Sequence, residues 1–322
     1  MSRLEPRAKR KHDSKLTILS LLLLGMIIVF EILSKGKAIT PNNIRNILEQ
    51  TTTVSLLAIG AATLMISGQI DLSLGGIGTF GALVTARLLL ANIPFALALL
   101  VGLASGALFG LLNSFLVNYV NLPSFIVTIA TANVAQGFGA MVCGGSQIRI
   151  TNQALTVLGG GKMFNYFPYA LIVSLALLFI YGIMLNRTTF GRSIYMVGEN
   201  ATAARLCGLN AKKISMILFV NAGCLATLAG VLVSGKLKFA NASLITGSQF
   251  DGITASILGG VSMGGGTGGM FGALIGILIL NVFENGTTLV GMNTYWQDIA
   301  AGLLLVVALL LDYLVTVRKQ TE

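Results

Sequence analysis

The sequence predicts an all-α polytopic membrane protein of about ten transmembrane helices with an inverted repeat, and three observations lead there. First, 55% of its 322 residues are hydrophobic and 10% are charged, with a mean hydropathy of +0.85. Soluble domains carry roughly 25% charged residues, so a water-soluble globule is excluded. Second, apolar runs recur near 17–33, 51–67, 72–91, 94–118, 123–143, 166–185, 214–234, 252–263, 270–291 and 296–316, leaving little chain for a separate extramembrane domain. Third, the polar motif Gln-x-Asp interrupts this pattern twice, as Gln69-Ile70-Asp71 and as Gln249-Phe250-Asp251. An odd number of runs separates the copies, which places one on each side of the membrane, as an inverted-topology repeat with broken helices requires. Phe80-Gly81-Ala82-Leu83 recurring as Phe271-Gly272-Ala273-Leu274 agrees with it.

Taken in order, residues 1–16 read as a basic cytoplasmic tail carrying Arg3, Arg7, Lys9, Arg10, Lys11 and Lys15. The run that follows is close to span length, and Ser34-Lys35-Gly36-Lys37 is no signal-peptidase site, so it reads as a retained first helix. Thr40-Pro41 supplies an N-cap and a first-turn proline, and Arg45 with Glu49 forms an i,i+4 pair. This stretch is either a short interfacial helix or the wet end of the second span. Glycines at 102, 106 and 110, and again at 268, 272 and 276, form small-residue stripes that let helices approach closely in lipid. The eighth run is too short to cross alone. Residues 17–316 thus form one transmembrane domain, interrupted by a cytoplasmic loop at 186–213 and followed by a tail at 317–322.

The basic residues support this topology. Arg187, Arg192, Arg205, Lys212, Lys213, Arg318 and Lys319 join the N-terminal cluster inside, whereas Lys35, Lys37, Arg45, Arg149, Lys162, Lys236 and Lys238 lie outside, and Arg87 snorkels. Both termini are expected in the cytoplasm. The net charge of +10 therefore orients spans, and no nucleic-acid partner is indicated. Cys143, Cys207 and Cys224 form no C-x-x-C pair, so neither a disulfide framework nor a zinc site is expected. His12 is the sole histidine, which excludes histidine triads and HExxH zinc chemistry. No catalytic or metal-binding residues are expected.

Asp71 and Asp251 each open a helix and read as caps for free backbone N–H groups rather than as ion sites. Glu284 lies deeper in an apolar run, and either faces a wet cavity or lies at a helix end. The run Gly264-Gly265-Gly266-Thr267-Gly268-Gly269 lacks the Gly-Lys-Ser/Thr ending of a phosphate loop and reads as a tight turn.

The loop 186–213 is the most informative stretch. Asn200 is a good N-cap, Ala201 to Leu206 a strong helix former and Gly208 a helix stop, with glycine-marked turns at both ends. A helix that cannot bury itself in its own domain suits a groove on a partner, the plainer reading being a basic tether. Here the sequence resembles the inner-membrane permeases of ribose-type sugar ABC importers. The resemblance runs through Asn46-Ile47-Leu48-x-Gln50, Ser67-Gly68-Gln69-Ile70-Asp71-Leu72-Ser73-Leu74-Gly75, Pro123-Ser124-Phe125-Ile126-Val127-Thr128, Thr189-Phe190-Gly191-Arg192, Ala203 to Asn210, Ile257-Leu258-Gly259-Gly260, and Asn285-Gly286-x-x-Leu289-x-Gly291. Gln69 stands where the family usually has Gly, and Gln249 and Gly252 replace the usual Glu and Ala around Asp251.

The resemblance implies one half of a transmembrane pore in a bacterial inner membrane, paired with a second copy or a related permease. It also implies a periplasmic or surface-tethered solute-binding protein and a cytoplasmic ATPase. Asn200 to Leu206 would be the coupling helix, with Thr189, Phe190, Gly191 and Arg192 placing it and Ala203, Ala204, Arg205 and Gly208 completing the docking segment. ATP would be bound by the partner subunit, and no cofactor by this chain. The substrate would be a ribose-like monosaccharide or a related molecule. For its path, Thr128, Thr131, Asn133, Gln136 and Asn281 offer side-chain hydrogen bonds, with Glu284 beside them; helix-to-helix hydrogen bonding is the plainer reading of the same residues. A permease for nucleosides or branched amino acids, or an ion-coupled secondary transporter relying on Glu284, are the alternatives.

Overall fold

The computed structural model describes residues 5–321, and side chains for 16–310, 312 and 313. Arg3 lies outside the described residues. The side chains of Arg7, Lys9, Arg10, Lys11, His12, Lys15, Arg318 and Lys319 lie outside those described, so the charge of the expected tails is not seen in the structure. The helices are α1 (Glu5–Leu33), α2 (Pro41–Ile66), α3 (Leu74–Leu90), α4 (Phe95–Asn118), α5 (Ser124–Cys143), α6 (Gln153–Gly160), α7 (Tyr169–Arg187), α8 (Thr189–Glu199), α9 (Ala201–Leu206), α10 (Ala211–Leu237), α11 (Gln249–Leu258), α12 (Met270–Leu289) and α13 (Thr294–Thr321). Strands β1 (Ile148–Arg149) and β4 (Phe239–Ala240) pair antiparallel, as do β2 (Lys162–Met163) and β3 (Phe167–Pro168).

Helices stand at all ten apolar runs. Among the described residues, 7 are long and apolar enough to cross a membrane. The other three of the expected ten, α3, α11 and α13, fall short on this measure. α3 has 17 residues and α11 has 10, and the described apolar part of α13 is Thr294–Leu310. At about 1.5 Å per residue, 17 residues fall a few ångströms short of a hydrocarbon core of about 30 Å.

α2 and α10 form the buried centre, and each gathers the helices that follow the other. α3 and α4 pack on α10, α11 and α12 pack on α2, α5 lies on α3 and α13 on α11. Glycine makes these approaches possible. A Cβ on Gly106 would stand 2.5 Å from the Gly223 carbonyl oxygen, one on Gly230 2.2 Å from that of Gly78, and one on Gly276 2.0 Å from that of Ala255. In lipid, where burial of apolar surface gives no preference between helix and solvent, such close van der Waals seams drive association. The second expected stripe is one residue shorter than its spacing suggested, because Gly268 lies in the turn before α12 with φ +129°.

α2 is continuous from Pro41, so the stretch around Arg45 is the wet end of that helix and not a separate interfacial helix. Thr40 does not cap it through its side chain; its hydroxyl donates to the Lys37 carbonyl at 2.8 Å instead. Glu49 accepts from Lys162 Nζ and Lys236 Nζ, both at 2.9 Å, with Arg45 Nε at 4.0 Å. One carboxylate thereby ties α2, the β2–β3 hairpin and the end of α10 together at one end of the bundle. The opposite end holds the last turn of α2, helices α8 and α9, and the glycine-rich turn at 263–269.

Candidate functional site

The segment between α7 and α10 is a rigid bracket of two short helices. Thr188 caps α8 by accepting the Gly191 N–H at 3.0 Å. Gly191, Ile194 and Val197 recur at helical spacing and are buried against the bundle, while Arg192, Met196 and Glu199 are exposed. α8 was not expected as a helix, since the sequence placed only a glycine-marked turn ahead of α9. The glycines serve proximity instead. A Cβ on Gly198 would stand 1.8 Å from the Ile66 carbonyl oxygen and 2.7 Å from Gly266 N.

One side-chain bond seats the bracket on the glycine-rich turn, which is itself tied to α2. Gly266 N–H donates to the Ile66 carbonyl at 2.8 Å, and the Tyr195 hydroxyl donates to the Gly268 carbonyl at 2.8 Å. Burial pushes the Tyr195 phenol above its ordinary value, so it stays protonated and donating. Asp312 of α13 accepts the Met263 N–H at 3.1 Å, fixing the other side of the glycine-rich turn, which is thus a tight turn used as a seat.

α9 forms where the sequence placed it. Asn200 Oδ1 accepts the N–H groups of Thr202 at 3.0 Å and Ala203 at 2.9 Å, and Gly208 closes the helix with φ +83°. Asn210 then caps α10 by accepting the Lys213 N–H at 3.0 Å. Of the expected docking residues, Asn200, Ala203, Arg205 and Gly208 are exposed with Thr189 and Arg192, Phe190 is half-buried and Gly191 is buried. Ala204 is 2% exposed and faces this chain's own core, so it supports α9 from within rather than meeting a partner. Its neighbour Leu206, which the sequence did not single out, is 87% exposed at the tip of the bracket. A lone large apolar residue at the end of an alanine-rich loop helix was the available signal.

Inside the bundle, the break before α3 is fastened from all sides. Asp71 Oδ1 accepts the Ser73 N–H at 2.7 Å and also the Ser73 hydroxyl, and Asn113 Nδ2 donates to Ser73 Oγ at 2.9 Å. Thr128 Oγ1 accepts the Leu72 N–H at 3.0 Å and donates to the Ser124 carbonyl at 2.8 Å. Asp71 therefore holds the turn two residues before the N-cap Ser73, and does not cap α3 itself. Asp251 does sit in the first turn of α11, where the Ser248 hydroxyl donates to it. Glu284 lies five residues before the last residue of α12 and is half-buried.

The other path candidates are not brought together. Thr131 is buried and bonds the Thr128 carbonyl at 3.2 Å, and Asn281 Nδ2 donates to Thr51 Oγ1 of α2 at 2.9 Å, so both join backbone or helix. Asn133 is exposed and Gln136 half-buried on α5. Gln69 and Gly68 border a polar cleft beneath α9. Gln249 Oε1 accepts the Gly247 N–H at 3.1 Å. Gly252 has a steric reason, because a Cβ there would stand 2.9 Å from the Leu57 carbonyl carbon of α2. Among the described residues no group of three His, Cys, Asp or Glu side chains is placed to hold a metal.

Apolar helices joined by small-residue seams, a polar break fixed at depth and a capped bracket standing out from one end define a polytopic membrane transport subunit. The chain belongs to the family described as the branched-chain amino acid transport system / permease component, whose model matches residues 43–309. It is 34% identical to the probable ABC transporter permease protein YphD of Escherichia coli over 96% of this chain and 92% of that one. Against the ribose import permease protein RbsC of Bacillus subtilis the identity is 31%, over 89% of each chain. Against the galactose/methyl galactoside import permease protein MglC of Salmonella typhimurium it is 31%, over 86% of this chain and 88% of that protein.

Proposed function

We propose that this chain is the permease subunit of an ATP-driven, binding-protein-dependent importer of a monosaccharide, and that α9 is the surface on which a cytoplasmic ATPase docks. The observation that carries the docking is the bracket: a capped helix with Leu206 outward, seated through α8 on the backbone end of α2. A capped helix that presents Leu206 and Arg205 outward suits a groove on a partner. Closure of the ATPase dimer would displace α9, α8 would pass the displacement to α2, and α2 would carry α11 and α12 with it. ATP belongs to the partner, and the permease binds none.

The finer topology follows the same reading. The bracket end is cytoplasmic, with both termini there and tails at 1–16 and 317–322, and the Glu49 end faces outward toward a solute-binding protein. Residues 17–316 form one domain of about ten passes. The exchange by which α3 and α4 pack on α10 while α11 and α12 pack on α2 supports an inverted repeat. A second permease copy, or a related one, completes the pore. Asn133 and Gln136 on α5, with Glu284 on α12, line the solute path, and Thr128, Thr131 and Asn281 hold its walls.

Relatives named for xylose, ribose and galactose support a sugar as the solute. The family description favours a branched amino acid as the second reading. Uptake competed by ribose and not by leucine supports the first, and the opposite pattern the second. For docking, Leu206→Asp and Arg205→Glu permeases should insert normally yet lose the ATPase on co-purification, whereas Lys238→Gln retains it. Normal ATPase retention by both loop variants would overturn the assignment.

A further inference from the structure

Behind α9, between the bracket and the bundle, lies a polar cleft of about 280 Å³ bordered by Ser67, Gln69, Asn118, Glu199, Arg205 and Lys212. A second hollow of about 410 Å³ adjoins it and shares Arg205, Ala211 and Lys212. Two cations thus stand at the border of both. Among the described residues neither Arg205 nor Lys212 makes an ion pair; Lys212 Nζ rests 4.8 Å from the centre of the Tyr119 ring, and the cleft holds one carboxylate, Glu199. Asn118 is held in place by donating to Ser215 Oγ at 2.9 Å, so the cleft floor is ordered.

Two unpaired cations on a concave surface suit a doubly charged oxyanion, which arginine takes through its planar fork and lysine as a point charge. Glu199 in the same cleft disfavours a bare anion but accepts hydroxyl donors, as Gln69 does through its amide oxygen. We propose that this cleft binds a hydroxyl-bearing phosphate ester, its phosphate on Arg205 and Lys212 and its hydroxyls toward Glu199 and Gln69. Occupancy braces α9 against the bundle and so sets how freely the bracket moves. The regulatory part rests on the docking role proposed for α9, whereas the binding itself does not. The same glycerol- or sugar-phosphate chemistry comes from a lipid headgroup at the membrane surface or from a soluble phosphorylated sugar.

Cys207 provides the readout, being exposed directly after α9 while Cys143 is buried and Cys224 half-buried. The full-length permease, in phosphatidylcholine nanodiscs, is reacted with a maleimide and the rate at Cys207 followed against glycerol 3-phosphate, glucose 6-phosphate, inorganic phosphate and ionic-strength-matched chloride. A saturable slowing by the phosphate esters and not by chloride is expected, with half-saturation about tenfold higher in Lys212→Gln and restored in Lys212→Arg. If the lipid is the source, nanodiscs containing phosphatidylglycerol give the slow rate in the wild type, and Lys212→Gln abolishes it. The Leu206→Asp permease, which tests docking, keeps the phosphate response even where ATPase retention fails. Equal slowing by chloride, an unchanged Lys212→Gln, no slowing by any phosphate source, or slowing only on addition of the ATPase would each overturn the site.

Discussion

The two copies of Gln-x-Asp share a sequence and differ in what surrounds them. At the first, Asp71 is 2% exposed and its turn is bonded to Ser73, Asn113, Ser124 and Thr128, residues of three different segments. At the second, Asp251 lies in the first turn of α11, bonded to Ser248 beside it. The shared Gln-x-Asp thus anchors a joint bonded across several segments in one half and a local first-turn contact in the other. In a membrane a buried N–H needs its acceptor inside the protein, so the first break is tied to every segment that supplies one.

Four substitutions test that contrast. The largest effect is expected at Gly78, next to the fixed joint, where a Cβ would stand 2.4 Å from the Ala226 carbonyl oxygen. Gly78→Leu should destabilise by about 3 kcal/mol and shift the purified protein toward aggregate on size exclusion. Next, Asp71→Ala strands the Ser73 N–H and hydroxyl in a dry interior and should cost about 1–3 kcal/mol, whereas Asp251→Ala should cost under about 1 kcal/mol. Equal thermal midpoints for the two alanine variants would remove the distinction. Smallest of all, Glu284→Gln removes a half-buried carboxylate that makes no ion pair among the described residues and should leave the thermal midpoint unchanged or slightly raised; a clear drop would show that Glu284 braces the second break.

Much of the helical layout was legible because apolar runs and small-residue stripes are local patterns. α9 and its caps were legible for the same reason: Asn200, Gly208 and Asn210 act on neighbours within four residues. α8 was not, because glycine signals a turn and a close approach with the same letter, and only the position of Ile66 decides between them. Thr128 and Thr131 leave two readings open in a related way. A hydroxyl on a membrane helix looks alike whether it faces a wet path or the backbone of the next segment. Glu49 shows the remaining limit, since its partners Lys162 and Lys236 lie far along the chain and no spacing rule connects them.

The seat of the bracket has a mechanical consequence. α8 bears on α2 and on the glycine-rich turn at Gly198, Ile66, Gly266 and Gly268, and there the touching groups belong to the main chain, with Tyr195 the side chain that locks them. A bearing made of backbone has no side-chain rotamers to absorb a push. Displacement of the loop tip therefore reaches the end of the central helix with little slack, as through a lever set directly on its pivot.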